Sequence, residues 1–297
     1  MGAIGAIGYS FDDHTLELLS YRKRPNFGKK RNISAQDVQA VHEKNPGTFN
    51  SFDEKRRRVL IAPHGPDPVF YGIRGEDVKS LLRAVKGLKT SEQLDGYMIF
   101  KSNQGTGDHL KHWLDPSNMR PYASGRLTGT VKTKPRITRG GHVFFTISLG
   151  DYEFCCAVYR PTEMSRVALE LIPGDRICVG GGVRKASKNF SRVLNVEFLD
   201  ILDLKENLVI SNPSCKQCSK SMKSKGLGQG YQCVKCRRRS SQRQTRSIPR
   251  KIQAQLYLPA VSAHRHLTRP LQRTGRKNTE SEFSESISWV CEYGNNE

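Results

Sequence analysis

The sequence predicts a multidomain α+β protein: a ferredoxin-like α/β sandwich, an OB-fold β-barrel and a zinc ribbon. Three observations carry this. Strand and helix patterns are mixed over residues 1–120, the pattern turns to period two over residues 121–206, and two Cys-x2-Cys pairs follow within residues 211–240.

In the first part, Thr15–Tyr21 reads as a strand. Ser34 is a helix cap leading to Lys44. Arg58–Ala62 and Val69–Ile73 read as strands around a rigid loop, Pro63–Pro68. Glu76–Leu88 places Val78, Leu81, Leu82 and Val85 on one helical face, and Tyr97–Phe100 is a further strand. Two loops follow apolar strands and combine glycine with titratable side chains, Pro63–Pro68 and Asn103–His109. Such strand-end loops hold sites, although Gly, Asn, Asp and Pro are also ordinary turn residues.

The barrel reading rests on Gly125–Val131, His142–Ile147 and Tyr152–Tyr159 as strands. A helical segment, Glu163–Ile172, comes next, and then strands Arg176–Val183 and Val193–Leu202. Three strands, a helix and two strands is the order of an OB barrel, which binds oligonucleotides on one face and its adjoining loops. Arg136, Arg139, Arg184, Lys185 and Lys188 fall in its loops as candidate RNA contacts. Phe145 and Tyr152 are stacking candidates unless they fill the core.

Cys215, Cys218, Cys233 and Cys236 have the spacing that places four thiolates tetrahedrally around Zn²⁺. Four protein ligands close the site, so the zinc is expected to be structural. The segment has too few large apolar residues for a core of its own, so metal binding supplies its folding free energy. Arg237, Arg238 and Arg239 adjoin the last ligand as candidate RNA contacts.

The chain has 297 residues with 49 Lys+Arg against 28 Asp+Glu, a formal charge of +21. Pro213–Thr279 holds 17 basic residues and no acidic one, whereas Glu280 onward has five Glu and no basic residue. Residues 241–297 therefore read as a basic arm and an acidic tail, expected to be disordered. The excess points to a polyanion, of which nucleic acid is the commonest. No apolar run approaches a membrane span, so no membrane partner is expected. Cysteine usage fits a reducing, cytoplasmic setting.

Four strings are more specific than any of these patterns. They are Asp13-His-Thr-Leu-Glu-Leu-Leu-Ser-Tyr-Arg22, Thr48-Phe-Asn50, Pro63-His-Gly-Pro-Asp-Pro-Val-Phe-Tyr-Gly-Ile-Arg-Gly-Glu76 and Phe100-Lys-Ser-Asn-Gln-Gly-Thr-Gly-Asp-His-Leu110. Together with the barrel-then-ribbon order, they resemble the archaeal isoleucine-tRNA agmatinylcytidine synthetases over about residues 1–240. The resemblance implies an ATP-dependent C–N ligase that joins agmatine to C2 of the wobble cytidine of a CAU-anticodon isoleucine tRNA, so that AUA is read.

The family also has an N-terminal kinase-like domain whose Asp-rich motif binds ATP and Mg²⁺, and nothing like that motif precedes Gly2. The resemblance therefore implies a chain that starts inside the family's second half, as a fragment, a misassigned start or half of a split enzyme. A separate kinase-like polypeptide is then a candidate partner, and this chain alone is expected not to consume ATP. Catalytic residues are unassigned. Agmatine, a dication, seeks carboxylates and an aromatic face. Asp13, Glu17, Asp53, Asp67, Glu76 and Asp108 are the candidate carboxylates, with Phe70 and Tyr71 nearby. His64, Arg74, Asn103, Gln104 and His109 complete the candidate substrate site. The alternative is a non-catalytic OB-fold and zinc-ribbon protein that binds nucleic acid.

Overall fold

The computed structural model describes residues 10–186, 192–279 and 289–293. Residues 1–9, with the small apolar start, lie outside the described residues, as do Lys188 and most of the acidic tail.

The first domain is an antiparallel sheet backed by two helices. In chain order it comprises β1 (Thr15–Arg22), α1 (Ala35–Lys44), β2 (Thr48–Phe49), β3 (Val69–Gly75), α2 (Val78–Gly87) and β4 (Leu94–Ser102). Across the sheet the order is β4-β1-β3-β2, every pairing antiparallel. Both helices start on sequence-encoded caps. The Ser34 hydroxyl accepts from Asp37 N at 3.2 Å and the Asp77 carboxylate accepts from Ser80 N at 2.7 Å. Val38 and Val41 of α1 and Leu81 and Ala84 of α2 pack on Leu16, Leu18 and Ile73 of the sheet. Strand alternation then turns Glu17 to the opposite face, paired in register with Arg74 and Phe100. The strand expected over Arg58–Ala62 shortens to Arg58–Val59, a small hairpin with Phe52–Asp53.

The barrel closes on five strands, β5 (Ser124–Val131), β6 (Val143–Leu149), β7 (Tyr152–Val158), β8 (Arg176–Arg184) and β9 (Val193–Asp203). Consecutive hairpins β5–β6 and β6–β7 continue through a parallel β7–β9 pair, then β9–β8 and β8–β5. The intervening α3 (Ser165–Leu169) is shorter than the expected Glu163–Ile172; at its start Glu163 takes a left-handed conformation that closes the preceding 3-10 turn. Phe145, a stacking candidate, is instead core at 2% exposure, packed with Leu127, Val179 and Leu199. Tyr152 lies exposed at the β6–β7 turn.

A two-stranded ladder, β10 (Asn207–Ser211) with β11 (Gln244–Ile248), joins the barrel to the three short strands of the cysteine ribbon.

The described part of residues 241–297 corrects the expectation of disorder: it is packed against both large domains. β12 (Leu256–Tyr257) adds to β9, and β13 (Val290–Glu292) adds to β4 as a fifth strand of the first sheet. Arg250 forms a two-pronged ion pair with the fully buried Asp175, at 2.8 and 2.7 Å. Asp175 also accepts from Ile172 N and Lys205 N. Composition alone missed this, because the arm is ordered by acids far away in sequence. Truncating Arg250 leaves a buried carboxylate without its cation, so Arg250→Ala is expected to cost about 3–5 kcal/mol of barrel stability, read as a lowered urea midpoint with an unchanged slope.

Candidate functional site

A cleft of about 700 Å³ opens on the face of the first sheet away from the helices. Its floor is Glu17 and Leu19 of β1 with Gly72 and Arg74 of β3. One wall is Arg58–His64 and the other is Val261–His266 of the arm. Gly72 keeps the floor open, since a Cβ there would lie 2.9 Å from Leu19 Cδ2.

The polar groups of the floor are tied together. Glu17 accepts from Arg74 Nε at 3.2 Å and from Gln104 Nε2 at 2.5 Å. His266 Nδ1 lies 3.1 Å from Arg74 Nη2 and 3.3 Å from Gln104 Oε1. His64 sits at the exposed rim, 3.4 Å from Arg58 Nη2. Its loop is rigid for a reason that sequence reading missed. Arg31 donates to the carbonyls of Pro63, Gly65, Asp67 and Val69 and to the Asp67 carboxylate. Asp67 further accepts from Val69 N, so it shapes the loop.

Glu17, His64, Arg74 and Gln104 thus come together, and the remaining candidates do not join them. Asp13 and Glu76 are bound by the arm. Arg273, fully buried, donates to Asp13 Oδ1 at 3.0 Å, to Glu76 Oε1 at 2.6 Å and to the Gly105 carbonyl at 3.0 Å. Arg269 adds a 2.7 Å bond to Asp13, and Asn278 bonds both carboxylates. Gly105 is required here, with φ +70 and room for no Cβ, which would lie only 2.8 Å from the Phe49 ring.

Asp53 is buried and bonded to Arg56. Burial pushes its carboxyl up, but hydrogen bonds from Ser262 and Arg56 outweigh this and hold it below the usual range. Asp108 pairs with Lys111. His109 bonds Glu197 of the barrel at 2.9 Å, and Arg265 bonds the other oxygen of that carboxylate. The Asn103 carbonyl caps its own loop through Thr106. Phe70 and Tyr71 are buried at 1% and 2%, so neither offers a face to a ligand.

A second region is the barrel rim where β5, β6 and β9 begin and β7 and β8 end. Arg136, Arg139 and Lys185 are exposed there. Beside them sit residues that sequence reading did not single out: Arg120, Arg160, Arg192, His142, Tyr159 and Tyr122. Tyr122 is 81% exposed in a left-handed conformation. His142 packs edge-on to Tyr159, whose hydroxyl accepts from Arg184 at 3.2 Å.

In the ribbon, Cys215, Cys218, Cys233 and Cys236 bring all four sulfurs within 4.8 Å of one another. Zn–S bonds of about 2.3 Å in a tetrahedron require sulfurs about 3.8 Å apart, so the cluster fits a closed, structural Zn²⁺. The backbone amides of Gln217 and Cys218 pull the Cys215 thiol down to about 6, toward the thiolate a metal needs. Arg237, Arg238 and Arg239 are exposed beside it.

The architecture is that of a cysteine-ribbon and barrel protein with a clasped α+β domain, the parts from which nucleic-acid-handling proteins are assembled. Comparison with known proteins is specific. Residues 1–109 match the TiaS FLD domain, and residues 212–252 match the TiaS C-terminal zinc ribbon domain. The isoleucine-tRNA 2-agmatinylcytidine synthetase TiaS of Cenarchaeum symbiosum is 49% identical over 290 residues, 98% of this chain and 65% of that protein. The Archaeoglobus fulgidus synthetase is 36% identical over 92% of this chain and 64% of its own length. A crystal structure of TiaS in complex with an isoleucine tRNA and ATP superposes with a TM-score of 0.82 at 35% identity, over 94% of this chain and 64% of that one. The chain is homologous to these synthetases over nearly all of its length and spans just under two thirds of theirs.

Two expectations follow from the site. Arg273→Ala leaves Asp13 and Glu76 without their shared cation, at a cost of about 3–5 kcal/mol; calorimetry should show the first domain melting earlier. Burial also holds His264, and His14 likewise, below the ordinary histidine range. Their neutral forms favour folding, so this stability is intact above the unfolded pKa of about 6.5 and is lost as pH falls through the lower folded values. Melting temperature should therefore drop as pH is lowered below that value, and less steeply in His264→Gln.

Proposed function

We propose that the chain acts in the ATP-dependent joining of agmatine to C2 of the wobble cytidine in CAU-anticodon isoleucine tRNA, in the cytoplasm. The observation that carries this is the 49% identity over 290 residues to a protein named for that product. The strings that resemble the family supply the cleft floor, the Arg31-laced loop and the clasped Asn103–His109 loop. The β4-β1-β3-β2 strand order supports a ferredoxin-like reading of the first domain, and the barrel's strand pairing supports an OB reading.

The chemistry divides the work. An amine displaces the cytosine C2 oxygen only after that oxygen becomes a leaving group, which phosphoryl transfer from ATP with Mg²⁺ achieves. A C–N bond forms, the C–O bond breaks and phosphate leaves. No residue of this chain is assigned to ATP or Mg²⁺. Its part in this reading is to hold the RNA. Glu17 is the candidate carboxylate that faces the cleft, whereas Asp13, Asp53 and Glu76 hold the fold. The barrel rim, with Arg120, Arg136, Arg139, Arg160, Arg184, Lys185 and Arg192, and the ribbon's Arg237, Arg238 and Arg239 carry the RNA backbone.

Two experiments test this. A chimera in which this chain replaces the matching two thirds of an archaeal relative should incorporate labelled agmatine into isoleucine tRNA; none would sink the ligase reading. In filter binding, isoleucine tRNA should bind more weakly as salt rises, and Arg136→Ala/Arg139→Ala/Arg184→Ala should reduce the log–log salt slope by about 2–3. Cys215→Ser should lose the metal and weaken the same binding. Equal affinity for single-stranded DNA would favour the non-catalytic binder instead.

A further inference from the structure

The cleft is framed more by cations than by anions. Arg58, Arg74 and Arg265, with His64, His264 and His266, line it against one lining carboxylate, Glu17. A dication such as agmatine would be a poor match for most of this surface, and an oxyanion a good one.

Glu17 orients the nearest cation without using it up. It takes the Nε of Arg74, and His266 faces Nη2. The Arg74 guanidinium lies on the floor with Nη1 uncommitted among the described contacts. The Arg265 guanidinium is bonded to Glu197 of the barrel. Arg58 is exposed, and among the described contacts its side chain meets His64. Arg58 comes from a hairpin and Arg74 from a sheet strand, and both line the cleft, whereas Arg265 lines its arm wall with its guanidinium bonded to Glu197. His266 Nδ1 faces both a donor, Arg74 Nη2, and an acceptor, Gln104 Oε1; the tautomer that accepts from Arg74 carries its proton on Nε2 and can donate it to an oxyanion.

We propose that this cleft is a phosphate site, recognising a phosphoryl group through Arg58, Arg74 and the ring of His266. The group comes either from a phosphodiester of the bound RNA or from free phosphate or pyrophosphate released by ATP. This deepens the reading above where RNA supplies the phosphate, and it stands apart from it where a free anion does. The arm is then part of the site: His266 lies 192 residues beyond Arg74 in the chain.

The test is titration of the full 297-residue chain with pyrophosphate, with inorganic phosphate and with a short CAU anticodon-loop RNA, followed by ³¹P NMR and calorimetry. Wild type is expected to bind at least one of these probes. Arg58→Ala and Arg74→Gln should each weaken that binding tenfold or more, and His266→Gln should weaken it less. Circular dichroism checks folding, and the exposed Arg58 variant serves as the reference should Arg74→Gln unfold. Pyrophosphate binding that the RNA competes away identifies a phosphodiester; pyrophosphate binding indifferent to the RNA identifies a free anion. Wild-type affinity in both arginine variants, or no binding of any probe, overturns the proposal. Agmatine transfer is measured separately in the chimera, so loss of transfer with pyrophosphate binding intact would fault the ligase reading and leave the phosphate site standing.

Discussion

The pairing of Arg273 with Asp13 and Glu76 is the contact on which the rest of the structure depends. A guanidinium with no solvent exposure is tolerable only when its donors and charge are matched. Here two carboxylates, the Gly105 carbonyl and the His14 carbonyl supply that match. The same contact fixes the start of β1, the beginning of α2 and the Asn103–His109 loop at once. From this anchor the arm passes Arg269 to Asp13 and the Thr106 carbonyl, His266 to the cleft and Arg265 to Glu197 of the barrel. First domain, barrel and cleft wall are thereby set against one another by one segment. Lys55 and Arg56, both bonded to Glu163, provide a second link between domain and barrel.

The division between residues that build and residues that present follows from this. Asp13, Asp53, Asp67 and Glu76 have the chemistry of substrate carboxylates, yet each is spent on an arginine of the chain or on its own loop. Glu17 too is bonded to an arginine, Arg74, and to Gln104, but strand alternation turns it away from the helices, onto the face where the cleft opens. The barrel shows the same division. Phe145 faces inward because β6 alternates, while the basic loops gather on one rim because the strand ends that carry them meet there.

Much of the fold was legible because its determinants are local. Period-two runs identified β1, β3 and all five barrel strands, Ser34 marked a helix start, and the cysteine spacing identified the ribbon. The arm was not legible for an equally physical reason. Residues 249–279 lack periodicity, and their order comes from arginines meeting acids 68 to 260 residues away. A basic run with no acid of its own reads as solvated when only its neighbours in sequence are considered. The signal that was available is complementarity: Asp13, Glu76 and Asp175 sit at the ends of elements in the body, and the arm has cations to spare. For the candidate cleft, Glu17, His64, Arg74 and Gln104 were named from their strings, whereas Arg31 and His266 were not, since neither lies in one.

The clasp also sets an order of events during synthesis. Asp13 leaves the ribosome 260 residues before Arg273, and the outer strand of its sheet, Val290–Glu292, comes later still. Until then the first sheet has an open edge and two carboxylates still waiting for their cation, and loop closure of that length is a slow, entropically costly step. A nascent chain can therefore form its barrel and bind its metal well before the cleft has its second wall. Assembly of the cleft would report that translation had reached the arm, so that prematurely terminated chains would lack a finished cleft.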